Sequence, residues 1–101
     1  MISNFQTWSG TVADGDNLCA IIAATLDIRN FEIKALTLQS EDWENLTFEF
    51  EPGKSAATML STILTIGNGT EGLGTHTITK MIARGSGNIK MNFYYIGQIA
   101  Q

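Results

Sequence analysis

The sequence is poor in the residues on which many enzymes and secreted proteins depend: it has one cysteine, one histidine and one proline. The single Cys19 excludes an internal disulfide and favours synthesis in the cytoplasm. The single His76 leaves few ways to build a zinc site or a pair of nucleophile and base. We therefore expect no catalytic residues, no metal and no cofactor.

Charge is also scarce, because Asp, Glu, Lys and Arg together make up 16% of the chain and the net charge is −4. The six basic residues are scattered along the sequence and form no basic patch. We expect neither nucleic acid nor anionic membrane as a partner. Residues 55–70, the longest nearly uncharged run, contain too many Thr, Ser, Asn and Gly residues to span a bilayer. The first ten residues lack the basic and apolar regions of a signal peptide.

Hydrophobic residues nevertheless make up 44% of the 101 residues, which predicts one folded domain over residues 1–101. Turn signals recur at short intervals, between runs rich in Ile, Thr, Leu and aromatic residues. This spacing is typical of an all-β, antiparallel β-sandwich with about seven to eight short strands, of which the jelly roll is one variant. We predict strands over residues 5–12, 18–28, 31–39, 45–51, 57–66, 75–84 and 88–99.

Two of these segments also fit a helix. Residues 55–66 have apolar residues at helical spacing behind Ser55, and residues 18–26 have them behind Asn17, a possible N-cap. The Ile and Thr content favours strands in both segments.

The strand over residues 31–39 carries apolar residues first on one face and then on the other, so it changes character midway. The strand over residues 88–99 is apolar on both faces toward its end. That end is either a central strand or a face that meets a partner subunit. Under the second reading, the candidate interface residues are Phe93, Tyr94, Tyr95, Ile96 and Ile99.

The segment "LTFEFE" shows the clearest alternation, which places Glu49 and Glu51 on one face of a strand. Their spacing, about 7 Å for two strand rises, is close to the carboxylate separation of inverting glycosidases. However, Thr47 is polar on the same face, and nothing nearby would enclose and protonate a carboxyl. We interpret both glutamates as the solvated side of a strand whose Phe48 is buried.

The remaining polar clusters fit turns better than binding sites. The oxygen-rich group Asp14, Gly15, Asp16 and Asn17 could hold calcium, but it lacks the EF-hand pattern, and an ordinary turn is favoured. The glycine-rich stretches over residues 67–74 and 85–88 do not match a phosphate-binding loop. Cys19, between Leu18 and Ala20, fits a small buried hydrophobic residue.

Residues 26–53 resemble a pattern in small virion-associated proteins of tailed bacteriophages. In that pattern a strand of the "LDL" type precedes an apolar strand, a Trp, and an "LTF" strand that ends at a Gly turn. Pro52 stands where the pattern has Asp. The matching residues here are Leu26, Asp27, Ile28, Ile33, Leu36, Leu38, Trp43, Leu46, Thr47, Phe48 and Gly53. The resemblance implies a β-sandwich with a structural role on a virus particle and transfers no catalytic residue.

Taken with the resemblance, the sequence predicts a non-enzymatic virion protein, either a capsid decoration protein or a tail or fibre component. Its partners would be other capsid or tail proteins, and further copies of itself in a closed homo-oligomer, with a trimer favoured. The alternative is a carbohydrate-binding module, in which Trp8 and Trp43 would stack on sugars, with Tyr94 and Tyr95 as further platforms.

Overall fold

The computed structural model describes residues 1–51, 56–67 and 77–100. Within these residues the chain forms two antiparallel sheets, with strand orders β1-β7-β2-β5 and β4-β3-β6. This confirms the predicted all-β sandwich, with seven strands in the described residues where a jelly roll has eight. The elements are β1 (Ile2–Val12), α1 (Leu18–Leu26), β2 (Ile28–Gln39), a 3-10 turn (Trp43–Asn45), β3 (Thr47–Glu51), β4 (Ala56–Thr58), β5 (Ile63–Ile66), β6 (Lys80–Arg84) and β7 (Gly87–Ile99).

The core lies between the two sheets and under the helix. Alternate residues of the strands point into it. Strand β7 contributes Ile89, Met91, Phe93 and Tyr95, whereas the three-stranded sheet contributes residues such as Phe48 of β3. The largest fully buried side chains are Phe48, Phe50, Phe93, Leu18, Ile22, Ile33, Leu38, Leu46, Met59, Met81, Met91 and Val12.

The strand predicted over residues 18–28 is wrong, because residues 18–26 form helix α1. The Asn17 side chain caps the helix by accepting a hydrogen bond from the Cys19 N–H, and Asp27 ends it in the left-handed conformation with φ 57°. Asn17 Oδ1 also accepts a hydrogen bond from the Met81 N–H of β6. These caps, together with burial of Leu18, Cys19 and Ile22, outweigh the strand preference of the Ile and Thr residues.

The strand predicted over residues 57–66 is divided between the two sheets. Its first part is β4, which pairs with β3, and its last part is β5, which pairs with β2. The chain therefore crosses from one sheet to the other here, with Met59 buried at the crossing. Residues 52–55, with the predicted turn at Pro52 and Gly53, lie outside the described residues, as do residues 68–76 and with them most of the glycine-rich stretch after Gly67.

Strand β2 changes character as the sequence predicts, because its pairing with β7 shifts register twice, between Arg29 and Glu32 and between Ile33 and Ala35. Each shift reverses which residues point inward. The residues buried along β2 are consequently Ile28, Phe31, Ile33, Leu36 and Leu38. After the second shift, Ala35 and Thr37 lie on the outside of the four-stranded sheet.

The alternation in β3 is also as predicted, with Phe48 and Phe50 buried and Glu49 exposed. Glu49 accepts a hydrogen bond from the Arg84 Nε at 2.9 Å, and Glu51 lies 3.4 Å from the Lys80 Nζ. The two glutamates thus form separate surface ion pairs across β3 and β6. Pairs of this exposure contribute little to stability.

The buried Phe48 and the exposed Glu49 give a matched test of the β3 register. Phe48→Ala is expected to lower the free energy of unfolding by about 3–5 kcal/mol, because it leaves a cavity in the core. Glu49→Gln is expected to change it by less than about 1 kcal/mol, since it removes only a solvated ion pair. Urea denaturation would measure both, and similar losses for the two variants would contradict this register.

The double role of Asn17 predicts an effect in the upper part of the range for a helix cap. Asn17→Ala should destabilise the protein by about 1–2 kcal/mol, because the Cys19 and Met81 amides both lose their acceptor. Asn45→Ala, at an exposed position on the 3-10 turn, is the control and should change stability by less than about 0.5 kcal/mol. Equal thermal midpoints for the two variants would argue against the cap.

Candidate functional site

The middle of the outer side of the four-stranded sheet is an uncharged patch, which we call the outer face; Lys90 of β7 and Glu32 of β2 lie on the same side beyond it. Its members are Phe5 and Thr7 of β1, Asn92 and Tyr94 of β7, Ala35 and Thr37 of β2, and Thr65 of β5. They share one side because side chains alternate along each strand and the register aligns the strands: Phe5 lies opposite Tyr94, Thr7 opposite Asn92, and Thr37 opposite both Asn92 and Thr65.

A shallow groove of about 450 Å³ runs across the outer face. At one side of it, Phe5 is 77% exposed and its ring centroid lies 4.8 Å from that of Tyr94, with the ring planes tilted by 51°. Thr7 Oγ1 donates a hydrogen bond to Asn92 Oδ1 at 2.6 Å. The lining thus combines an aromatic pair with neutral hydroxyl and amide groups.

This composition determines what the outer face can bind. Removing water from hydroxyl and amide groups costs far less free energy than removing it from charges. Burial of the exposed Phe5 ring, in turn, would contribute about 1.5–3 kcal/mol to binding. The outer face is therefore suited to contact with another neutral surface.

The structure separates the five predicted interface residues. Tyr94 and Ile96 lie half-buried on the outer side of β7, and Ile99 is 57% exposed at the end of the strand. The prediction is wrong for Phe93 and Tyr95. Both side chains point into the core, where their rings contact Phe31. Strand β7 is apolar on both faces because it is a central strand, and neither Phe93 nor Tyr95 is available to a partner.

The two tryptophans of the carbohydrate-binding alternative are not fully exposed as sugar-stacking platforms. Trp8 and Trp43 are both half-buried and pack against the hydrophobic core. The six-membered ring of Trp8 also covers Gly10, where an added Cβ would lie only 2.9 Å from it. Tyr95 is buried, so of the four proposed stacking residues only Tyr94 reaches the outer face.

Phe5 is the functional candidate that the sequence interpretation missed. Its position in "NFQTWSGTV", in step with Thr7, Ser9 and Thr11, is the available signal. That alternation places a large aromatic residue on the polar side of a strand. An aromatic residue in such a position is either part of an outer cluster or part of a binding surface.

The turn over residues 13–17 uses its oxygens for structure. Asp14 Oδ1 accepts a hydrogen bond from the Gly85 N–H, and Asp16 Oδ2 accepts one from the Ala13 N–H. Asn17 is engaged as the helix cap. These bonds fit the interpretation of an ordinary turn, and no group of three or more potential metal ligands occurs among the described residues.

Cys19 is 3% exposed, and burial raises the pKa of its thiol to about 12. A protonated, enclosed thiol is a poor nucleophile. His76 lies outside the described residues. No helix within the described ranges is long and apolar enough to cross a membrane.

Comparison of the chain with protein-family models, with curated proteins and with solved structures finds no match.

The raised pKa of Cys19 predicts a specific dependence of stability on pH. Because the thiol binds its proton more tightly in the folded than in the unfolded protein, stability should fall as pH rises from about 9 toward 12. Between pH 8 and 10.5, Cys19 should lower the free energy of unfolding by on the order of 1–2 kcal/mol. Urea denaturation of wild type and of Cys19→Ala at pH 8 and pH 10.5 isolates this loss, because the two proteins share all other titrating groups. An equal loss in the two proteins would contradict this assignment.

Proposed function

We propose that the protein is a non-enzymatic structural component of a virus particle, as a capsid decoration protein or a part of the tail or fibre. The observation that carries the proposal is the outer face, an uncharged surface of Thr, Asn and Ala side chains around the exposed Phe5 and the half-buried Tyr94. A surface of this kind gains free energy when a partner covers it. The resemblance of residues 26–53 to virion-associated phage proteins supplies the kind of partner.

The outer side of the three-stranded sheet is a less suitable contact. It carries Glu49, Glu51, Lys80 and Arg84, which are paired with one another at the surface. Covering these ions would remove their water without providing new partners. We therefore assign the contact with the particle to the outer face, and the ion-paired side to solvent.

The first test is the composition of the particle. Mass spectrometry of purified virions should find this chain at a copy number set by particle symmetry, and particles that lack it should be less stable or altered in shape. Absence from virions, combined with specific binding of the isolated protein on a glycan array, would contradict the proposal and favour the carbohydrate-binding alternative.

The second test is directed at the outer face. Tyr94→Lys places a charge on a central strand in the middle of the proposed contact and should reduce incorporation into particles roughly tenfold or more, since an unpaired charge costs over about 1.4 kcal/mol to bury. Thr58→Lys adds the same charge at an exposed position on β4 and is the matched control. Equal incorporation of the two variants would place the contact elsewhere.

A further inference from the structure

In the part of the chain that the structure describes, strand β1 is the longest edge of the two sheets. It has eleven residues, whereas the other edge strands β4, β5 and β6 have three, four and five. The edge of β6 is also covered, because the turn over residues 13–17 bonds to it through Gly15 N–H to Ala83 O and Ala83 N–H to Asp16 O. Short length and cover are the usual protection of sheet edges, and β1 has neither among residues 1–51, 56–67 and 77–100.

Strand β1 also lacks the other features that keep an edge from pairing. Its sequence, "ISNFQTWSGTV", contains no charged residue and no proline. Its register with β7 is continuous from Ile2 opposite Gly97 to Val12 opposite Gly87, so no bulge twists the edge away. Such a strand is a ready template for one more strand.

The hydrogen bonds of β1 show which backbone groups face outward. The Phe5 N–H donates to Asn4 Oδ1 at 2.9 Å, and the Thr7 N–H donates to Gln6 Oε1 at 3.2 Å. Amides bonded to neighbouring side chains are those that do not pair with β7. The odd-numbered residues from Ser3 to Thr11 therefore present their N–H and C=O groups at the free edge. Within the described residues, the Phe5 and Thr7 amides are covered there by local side-chain bonds.

We propose that β1 pairs with β1 of a second copy in antiparallel orientation, which joins the two four-stranded sheets into one. A strand that meets its own copy about a twofold axis forms a closed, self-complementary contact. The lack of charge is what permits this, because a charged residue near the axis would face its own like charge.

The longest overlap places Thr7 opposite Thr7 of the second copy and Phe5 opposite Ser9. This register pairs all five outward-facing residues and forms about ten ladder hydrogen bonds. It also makes the two outer faces continuous, which doubles the surface offered to a partner. The dimer is an inference beyond the proposed function, which requires no second copy. A twofold contact predicts a dimer in place of the trimer expected from the sequence.

Light scattering on the purified protein at high micromolar concentration tests the inference. Wild type should have twice the 11.0 kDa mass of the chain. Thr7→Lys, which puts two like charges at the axis, should return the mass to that of one chain while far-UV circular dichroism stays unchanged. Thr65→Lys adds the same charge to the same face on β5 and should remain dimeric. The proposed dimer would be overturned if wild type were a monomer or a trimer. It would also be overturned if Thr65→Lys disrupted the dimer and Thr7→Lys did not.

Cross-linking gives an independent readout. In the proposed register two Thr7→Cys residues lie about 5.5 Å apart at their Cα atoms, within disulfide range. Mild oxidation should link most Thr7→Cys chains into dimers and leave Thr65→Cys chains single, while the buried Cys19 does not react. Equal cross-linking of both variants, or none, would overturn the contact. Neither result bears on detection of the chain in virions, so this inference and the proposed function can fail separately.

Discussion

The structure depends on strand β7, which is hydrogen-bonded on both sides and apolar on its inner face. It pairs with β1 along all eleven residues of that strand and with β2 across two register shifts. Its inward residues include Phe93 and Tyr95, whose rings meet Phe31 at centroid distances of 6.0 and 5.3 Å. Because β7 is the one strand that pairs with β1 among the described residues, the position of the outer face and of the free edge both follow from it.

The register shifts in β2 decide which residues reach the outer face. Without them, a strict alternation from Ile33 would point Ala35 and Thr37 into the core and Leu36 and Leu38 outward. The second shift inverts that arrangement, buries Leu36 and Leu38, and leaves small neutral side chains outside. The groove beside Phe5 and Tyr94 is thus a consequence of one bulge in the neighbouring strand.

Elements with a regular local pattern could be predicted from the sequence, and those fixed by distant contacts could not. The alternation of Phe48, Glu49 and Phe50 is read directly from β3. For residues 18–26 the local pattern fits both a strand and a helix behind Asn17, and the bond from Asn17 to Met81 of β6, which stabilises the helix, is a contact that no local pattern shows. Likewise, the sequence places Phe5 on the polar side of β1, but its partner Tyr94 comes from the other end of the chain.

The two outer sides of the sandwich differ in what they gain from losing water. On the three-stranded sheet, charges such as Glu49 and Arg84 already have partners and keep much of their hydration, so a covering surface would have to replace that water. On the four-stranded sheet, Thr7 and Asn92 satisfy each other, and the exposed ring of Phe5 is poorly hydrated. A partner that covers the second surface displaces weakly held water and breaks no ion pair. A covering partner would therefore desolvate the outer face at a lower cost than the ion-paired side.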